Sequence, residues 1–297
     1  MTISFQQLKK KDDNQVKEYL IQDFINSIID DVKSFNNGEA ITRVDPSKYY
    51  LETITIRDEF LELLIMSKYV VDGHKYMIEA LEKIYNAHHF DGRKDIFHLL
   101  CYELVIYLTA FYIKYNRYTE ISYLINHKYI LYNNGTLNNT PSSLTSLREY
   151  NEQFDIFIKQ RDNKNYYSGI AHYWLEAINE TVCDADDFIY ADEFLYNASI
   201  FIFKYDPWAY WFPIMYCYDR YTTNIKKLSM KLKTKEYLDT FSLCLGFSNI
   251  MAFKAKFKEI EQKANNHNIF KQIKYNGSFD RAVTVFDYVK SEELGIF

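Results

Sequence analysis

The chain is poor in residues that turn a backbone sharply. Eight glycines and four prolines in 297 residues are too few for a β-sandwich, a barrel or a doubly wound sheet with its many tight connections. The four cysteines, Cys101, Cys183, Cys217 and Cys244, lie far apart with no Cys-x-x-Cys pair. That excludes a disulfide scaffold or paired-cysteine zinc site and reads as reduced thiols packed as small apolar groups. Basic charge is not in excess: the formal net charge is −5, which disfavours broad binding to nucleic acid or anionic membrane. The opening MTISFQQLKKKDD has no apolar signal core, so a cytoplasmic protein is expected. His-Glu-x-x-His, Gly-x-Ser-x-Gly, phosphate-cradling glycine loops and Cys/His nucleophile pairs are all missing. No cofactor and no metal are therefore expected.

What the chain has instead is apolar and aromatic helix. Residues 95–115, DIFHLLCYELVIYLTAFYIKY, place Ile96, Leu99, Leu100, Leu104, Tyr107, Leu108 and Phe111 at helical spacing. Cys101, Tyr102, Val105, Ala110 and Tyr112 fill most of the remaining circumference. A helix apolar nearly all round is enclosed by other elements or by lipid. The stretch is short for a membrane span and carries His98 and Glu103. One mid-span carboxylate opposes insertion by roughly 3 kcal/mol, so the expectation is no membrane.

Similar periodicity predicts helices near 14–35, 55–71, 74–87, 119–127, 144–159, 168–181, 187–203, 213–222, 224–230, 235–245 and 248–265. Residues 49–54 read as a short strand or loop, and Asn276-Gly277 as the turn of a minor hairpin. The fold class is all-α, an irregular multi-helix bundle or stacked helical hairpins. The polar run NNGTLNNTPSSLTS, residues 133–146, reads as a linker between lobes 1–132 and 147–297, or as a loop in one continuous domain.

Candidate chemistry gathers in four places. Arg93 and His98 form an Arg-x4-His spacing that looks like the ribonuclease motif of HEPN helical domains. A histidine can move protons and an arginine can hold phosphate; equally, His98 simply packs the start of the helix. His88, His89, Asp91, Asp95 and His98 are the densest set of metal-ligand types, but a solvated turn with caps fits the spacing better. Glu103, a lone carboxylate on an apolar helix, needs a partner or a raised pKa. Trp208, Tyr210, Trp211 and Phe212, bracketed by Pro207 and Pro213, are either anchors for a binding partner or a core plug. The run from Lys226-Lys227 to Lys235 reads as the solvated face of a helix.

Three passages together, DIFHLLCYELVIYLTAFYIKYNRYTEISYLI (95–125), AYWFPIMYCYDR (209–220) and FDYVKSEELG (286–295), resemble the helical C-terminal region of bacterial SEFIR- or TIR-like proteins implicated in antiphage defence. In such proteins an α/β domain signals or cleaves NAD while the helical part senses, assembles or regulates. The segment before residue 55 is too short for that α/β domain, so its catalytic glutamate is not carried over. The resemblance implies a free-standing, non-catalytic binding or regulatory protein of defence or of phage counter-defence. Its partner would be a protein, a defence effector or phage component, with homo-oligomers allowed. RNA enters only in the alternative, a metal-independent ribonuclease using Arg93 and His98.

Overall fold

The computed structural model describes residues 14–35, 46–88, 94–133, 136–137, 141–202, 210–219, 222–267 and 283–297. They form an all-α protein of twelve α-helices with four short 3-10 turns and a two-stranded hairpin, counted among the described residues. The chain divides into two compact units, residues 1–108 with 128–164, and residues 109–127 with 165–297. The run at 133–146 is therefore no linker but part of the first unit. Its backbone is tied in where Tyr129 and Ser142 exchange hydrogen bonds of 3.0 and 2.8 Å, and Leu144 and Leu147 are buried. The division passes instead between Leu108 and Thr109, inside a helix.

In the first unit, α1 (Asn14–Ser34) buries Ile21, Ile25, Ile28, Ile29 and Val32 against α3 (Ile54–Ser67) and α4 (Gly73–Asn86). Isoleucines at three- and four-residue spacing make one apolar stripe, which is why α1 lies on its neighbours rather than among them. The residues read as a strand are helical: α2 spans Pro46–Glu52. Proline suits a first helical turn, where its missing N–H has no acceptor to lose. Thr53, whose hydroxyl donates to Tyr50 O at 2.8 Å, marks the break before α3, which opens at Ile54, one residue before the expected start. Gly73 opens α4 because a Cβ there would meet the Ser67 carbonyl oxygen at 2.0 Å.

The long apolar helix α5 spans Lys94–Lys114. It is long and apolar enough to cross a membrane, yet 94% of its apolar window is buried in the protein, which accounts for its composition without a bilayer. Asn116 at φ 53° ends it, and the Arg117 N–H donates back to Tyr112 O at 2.8 Å, a left-handed stop. After α6 (Tyr118–Asn126), the hairpin falls at Tyr132–Asn133 and Thr136–Leu137. The one expected at 276–277 lies outside the described residues. A single helix over 144–159 does not form. A 3-10 turn at Leu144–Leu147 gives way to α7 (Glu152–Arg161), because the Asn151 side chain accepts from Phe154 N at 2.9 Å and starts a new helix.

In the second unit, α8 (Gly169–Glu176) is capped by buried Ser168. Next, α9 (Ala185–Ile202) is buried along its whole length from Phe188 to Phe201. Around it pack α10 (Thr223–Leu232), α12 (Ile250–His267) and the 3-10 turn Ile214–Tyr218. Further out, α11 (Lys235–Cys244) packs on α6, α10 and α12. Phe201 gathers Phe241, Phe253, Phe257 and Phe286 at ring separations of 4.9–6.2 Å. The C-terminal residues are held by backbone bonds: Phe297 O accepts from Lys235 N at 2.9 Å, and Gly295 N donates to Leu232 O at 3.1 Å.

Candidate functional site

The residues singled out by chemistry are mostly consumed by packing. His98 is buried on α5, its ring stacked flat on Tyr85 at 3.7 Å and 7°. Arg93 lies outside the described residues, as do His89 and Asp91. His88 is not in a solvated turn: it is buried, bonded to Val32 O at 2.7 Å and stacked on Phe97. A histidine with its ring covered by aromatic neighbours is set as a packing unit rather than poised in a cleft.

Glu103 finds its partner in a residue that sequence spacing could not connect to it. Arg57 of α3 reaches across with Nη1 3.3 Å from Oε1, while the Tyr50 hydroxyl donates to Oε2. Arg57 also binds Asp58 at 2.8 Å and lies 5.9 Å from the centre of the Tyr107 ring. Burial works against the charge on Arg57, but Glu103, Tyr107 and Asp58 outweigh it and raise its pKa. Burial also raises Glu103, and Arg57 and Tyr50 pull it back.

Of the aromatic segment, Trp208 lies outside the described residues, Tyr210 and Trp211 are buried, and Phe212 is half-buried. Trp211 is a plug on α9. Its indole N–H donates to Asp192 Oδ1 at 2.7 Å, its backbone N–H to Ser199 Oγ at 2.9 Å, and Met215 N donates to Asp192 Oδ2 at 2.7 Å. Burial pushes the Asp192 carboxyl up to about 7 against the pull of those two donors. Its neighbour Glu193, also buried, is driven well above the usual range by burial and by Asp219 and Asp192.

Among the described residues, a groove of about 800 Å³ lies open in the first unit, walled by α1 and α4. One wall is built from committed groups. Glu82 accepts from Ile130 N at 2.9 Å, and the Asn86 amide donates to Ile130 O and accepts from Tyr132 N, both at 2.8 Å. The amide thus imitates a peptide group and pins an extended segment along the helix, leaving Ile130 57% exposed at the lip. Glu79 is held by Lys83 at 2.7 Å and by Gln22. The other wall is a row on α1, Asn26, Asp30 and Lys33, spaced to fall on one flank. Among the described residues these three exposed side chains have no hydrogen bond or ion pair. The lining carries Asp30, Glu79 and Glu82 against Lys33 and Lys83, a balance that suits a polypeptide bearing both charges and offers a polyanion little.

The groove was not legible in sequence. Its open wall is three ordinary polar residues on the wet flank of an amphipathic helix, and its pinned wall depends on residues 130–132 returning to α4.

Comparison with protein-family models, with curated proteins and with solved structures found no match. The site stands on its geometry.

Proposed function

We propose that this chain is a binding protein, not a catalyst, which seats a segment of a protein partner in the groove of its first unit. Prokaryotic antiphage defence, or phage counter-defence, is the setting we infer from its likeness to the helical part of SEFIR- and TIR-like proteins. The observation that carries the binding reading is the uncommitted row Asn26, Asp30 and Lys33 facing a wall already saturated by internal hydrogen bonds. Polar side chains with no internal partner, set along a concave surface of mixed charge, provide recognition without a reaction centre. The catalytic alternative is less well supported, because His98 is stacked on Tyr85 inside the protein.

The test is phage challenge of bacteria expressing the chain with its neighbouring genes. The intact chain should change phage plating at least tenfold. Asp30→Arg with Lys33→Glu should abolish the effect while leaving the melting temperature of the purified protein unchanged. A wild-type chain without effect, or a reversed groove that keeps the full effect, would sink the proposal. RNA degradation by the purified chain, lost in His98→Ala without loss of stability, would reinstate the ribonuclease reading.

A further inference from the structure

The groove of the first unit has one occupied wall and one bare wall, and both carry the same pair of chemical groups. On α4, Glu82 and Asn86 stand one helical turn apart. Glu82 accepts from Ile130 N at 2.9 Å, and the Asn86 amide donates to Ile130 O and accepts from Tyr132 N, both at 2.8 Å. A carboxylate and an amide so placed take the N–H and C=O of one residue and the N–H of the next but one. The fit is metric. One such step along a helix rises about 6 Å, and two residues of extended chain advance about 6.6 Å, so successive turns of the helix flank meet alternate residues of the strand.

On α1, Asn26 and Asp30 line the same groove at the same one-turn spacing. Both are exposed, and among the described residues neither has a hydrogen bond or ion pair. Their order is reversed: the amide precedes the carboxylate on α1 and follows it on α4. The two helices run parallel, because Gln22 of α1 donates to Glu79 of α4 at 3.1 Å and Val32 O meets His88, just past the end of α4, at 2.7 Å. The pinned residues 130–132 run with α4, from Glu82 toward Asn86. A segment held by the same contacts on α1 runs from Asp30 toward Asn26, against both helices and antiparallel to 130–132. Lys33, exposed and without an ion pair among the described residues, stands one turn beyond Asp30. It flanks whatever precedes the held residue, and an ammonium there favours a carboxylate.

We propose that the groove holds its protein partner as an extended segment, clasped through its backbone by Asn26 and Asp30, with an acidic side chain just before the clasped residue. The inference rests on the groove being the partner site, and it adds the partner's conformation, direction and charge. A helical partner has its backbone N–H and C=O groups already paired and offers the clasp nothing. Backbone groups are common to every sequence, so the clasp supplies affinity and Lys33 supplies selection.

The test selects random displayed peptides on the full-length protein and resynthesises the winners with a nitroxide at either end. Asn26→Leu and Asp30→Leu should each weaken binding about tenfold or more, Asn26→Gln should restore part of it, and none should move the melting temperature. A nitroxide at the peptide's N-terminus should broaden amide resonances around Lys33, and one at its C-terminus those around Gln22. The winners should carry Asp or Glu ahead of the clasped residue, and selection on Lys33→Glu should replace it with Lys or Arg. Peptides that bind in the opposite direction, bind as helices, or ignore Asn26→Leu would overturn the clasp while leaving the groove as the partner site. Full binding to Asp30→Arg with Lys33→Glu, or no peptide selected at all, would overturn the groove reading as well.

Discussion

The two units bury a carboxylate in contrasting ways. In the first, Glu103 sits beside a counter-ion, Arg57, brought from another helix, and a phenol completes its bonding. In the second, Asp192 meets no cation among the described residues: two N–H donors hold it, and burial lifts it to about 7. The first arrangement keeps charge in the core by pairing it; the second admits the proton. Removing a partner therefore damages the first most, whereas changing pH acts most on the second.

The largest effect expected is for Arg57→Met, which leaves Glu103 buried without its counter-ion. Breaking a buried pair from one side costs about 3–5 kcal/mol. Urea denaturation of the variant should show a loss of that order at neutral pH, and a loss below about 1 kcal/mol would mean that the pair is not a structural element. Replacing both Arg57 and Glu103 by apolar residues should recover much of it.

Next comes the pH response. The folded pKa of Asp192 lies above that of an unfolded aspartate, so between roughly pH 4 and 7 the folded state binds more protons than the unfolded one. Its stability therefore falls as pH rises through that window, by up to about 4 kcal/mol for this group alone. Below the window both states are protonated, and above it neither is. Asp192→Asn should flatten the slope measured by denaturant midpoints at pH 4.5 and 7.5. An unchanged slope would remove Asp192 from the account. Substitution of Glu103, whose displacement Arg57 restrains, should alter stability more evenly over the same range.

The smallest of the three is Trp211→Phe, which keeps a ring in the plug but deletes the indole donor to Asp192. An orphaned buried acceptor costs about 1–3 kcal/mol, and the loss should grow with pH because the ionised carboxylate misses the donor more than the acid does. A loss independent of pH would show that the ring, not its N–H, matters.

Much of the helical layout was legible. α5 was foreseen within one residue at each end, and α1 likewise, because a run unbroken by glycine or proline with apolar side chains at helical spacing admits few alternatives. Residues 49–54 misled, since their aromatic and β-branched side chains suit a strand as well as the end of the helix that Pro46 opens. The 144–159 stretch misled because Asn151 caps a helix in mid-pattern. Of the candidate residues, Glu103 was recognised as needing a partner, but nothing in the sequence tied it to Arg57. Trp211 was recognised as a core plug or an anchor, and only the position of Asp192 on α9 shows its indole turned inward.

By itself, then, the order of residues determined that this protein is built of helices and that one of them, 94–114, is wrapped by protein. Periodicity is a local property, and a helix face is decided within a few turns. The tertiary structure alone decided which charge meets which, that Asn86 holds residues 130–132 to leave a groove, and that one lysine of the α10 run, half-buried Lys231, lies 5.2 Å from the centres of both the Tyr190 and Tyr237 rings. Those are meetings of residues far apart in the chain, and no spacing rule reaches across such distances.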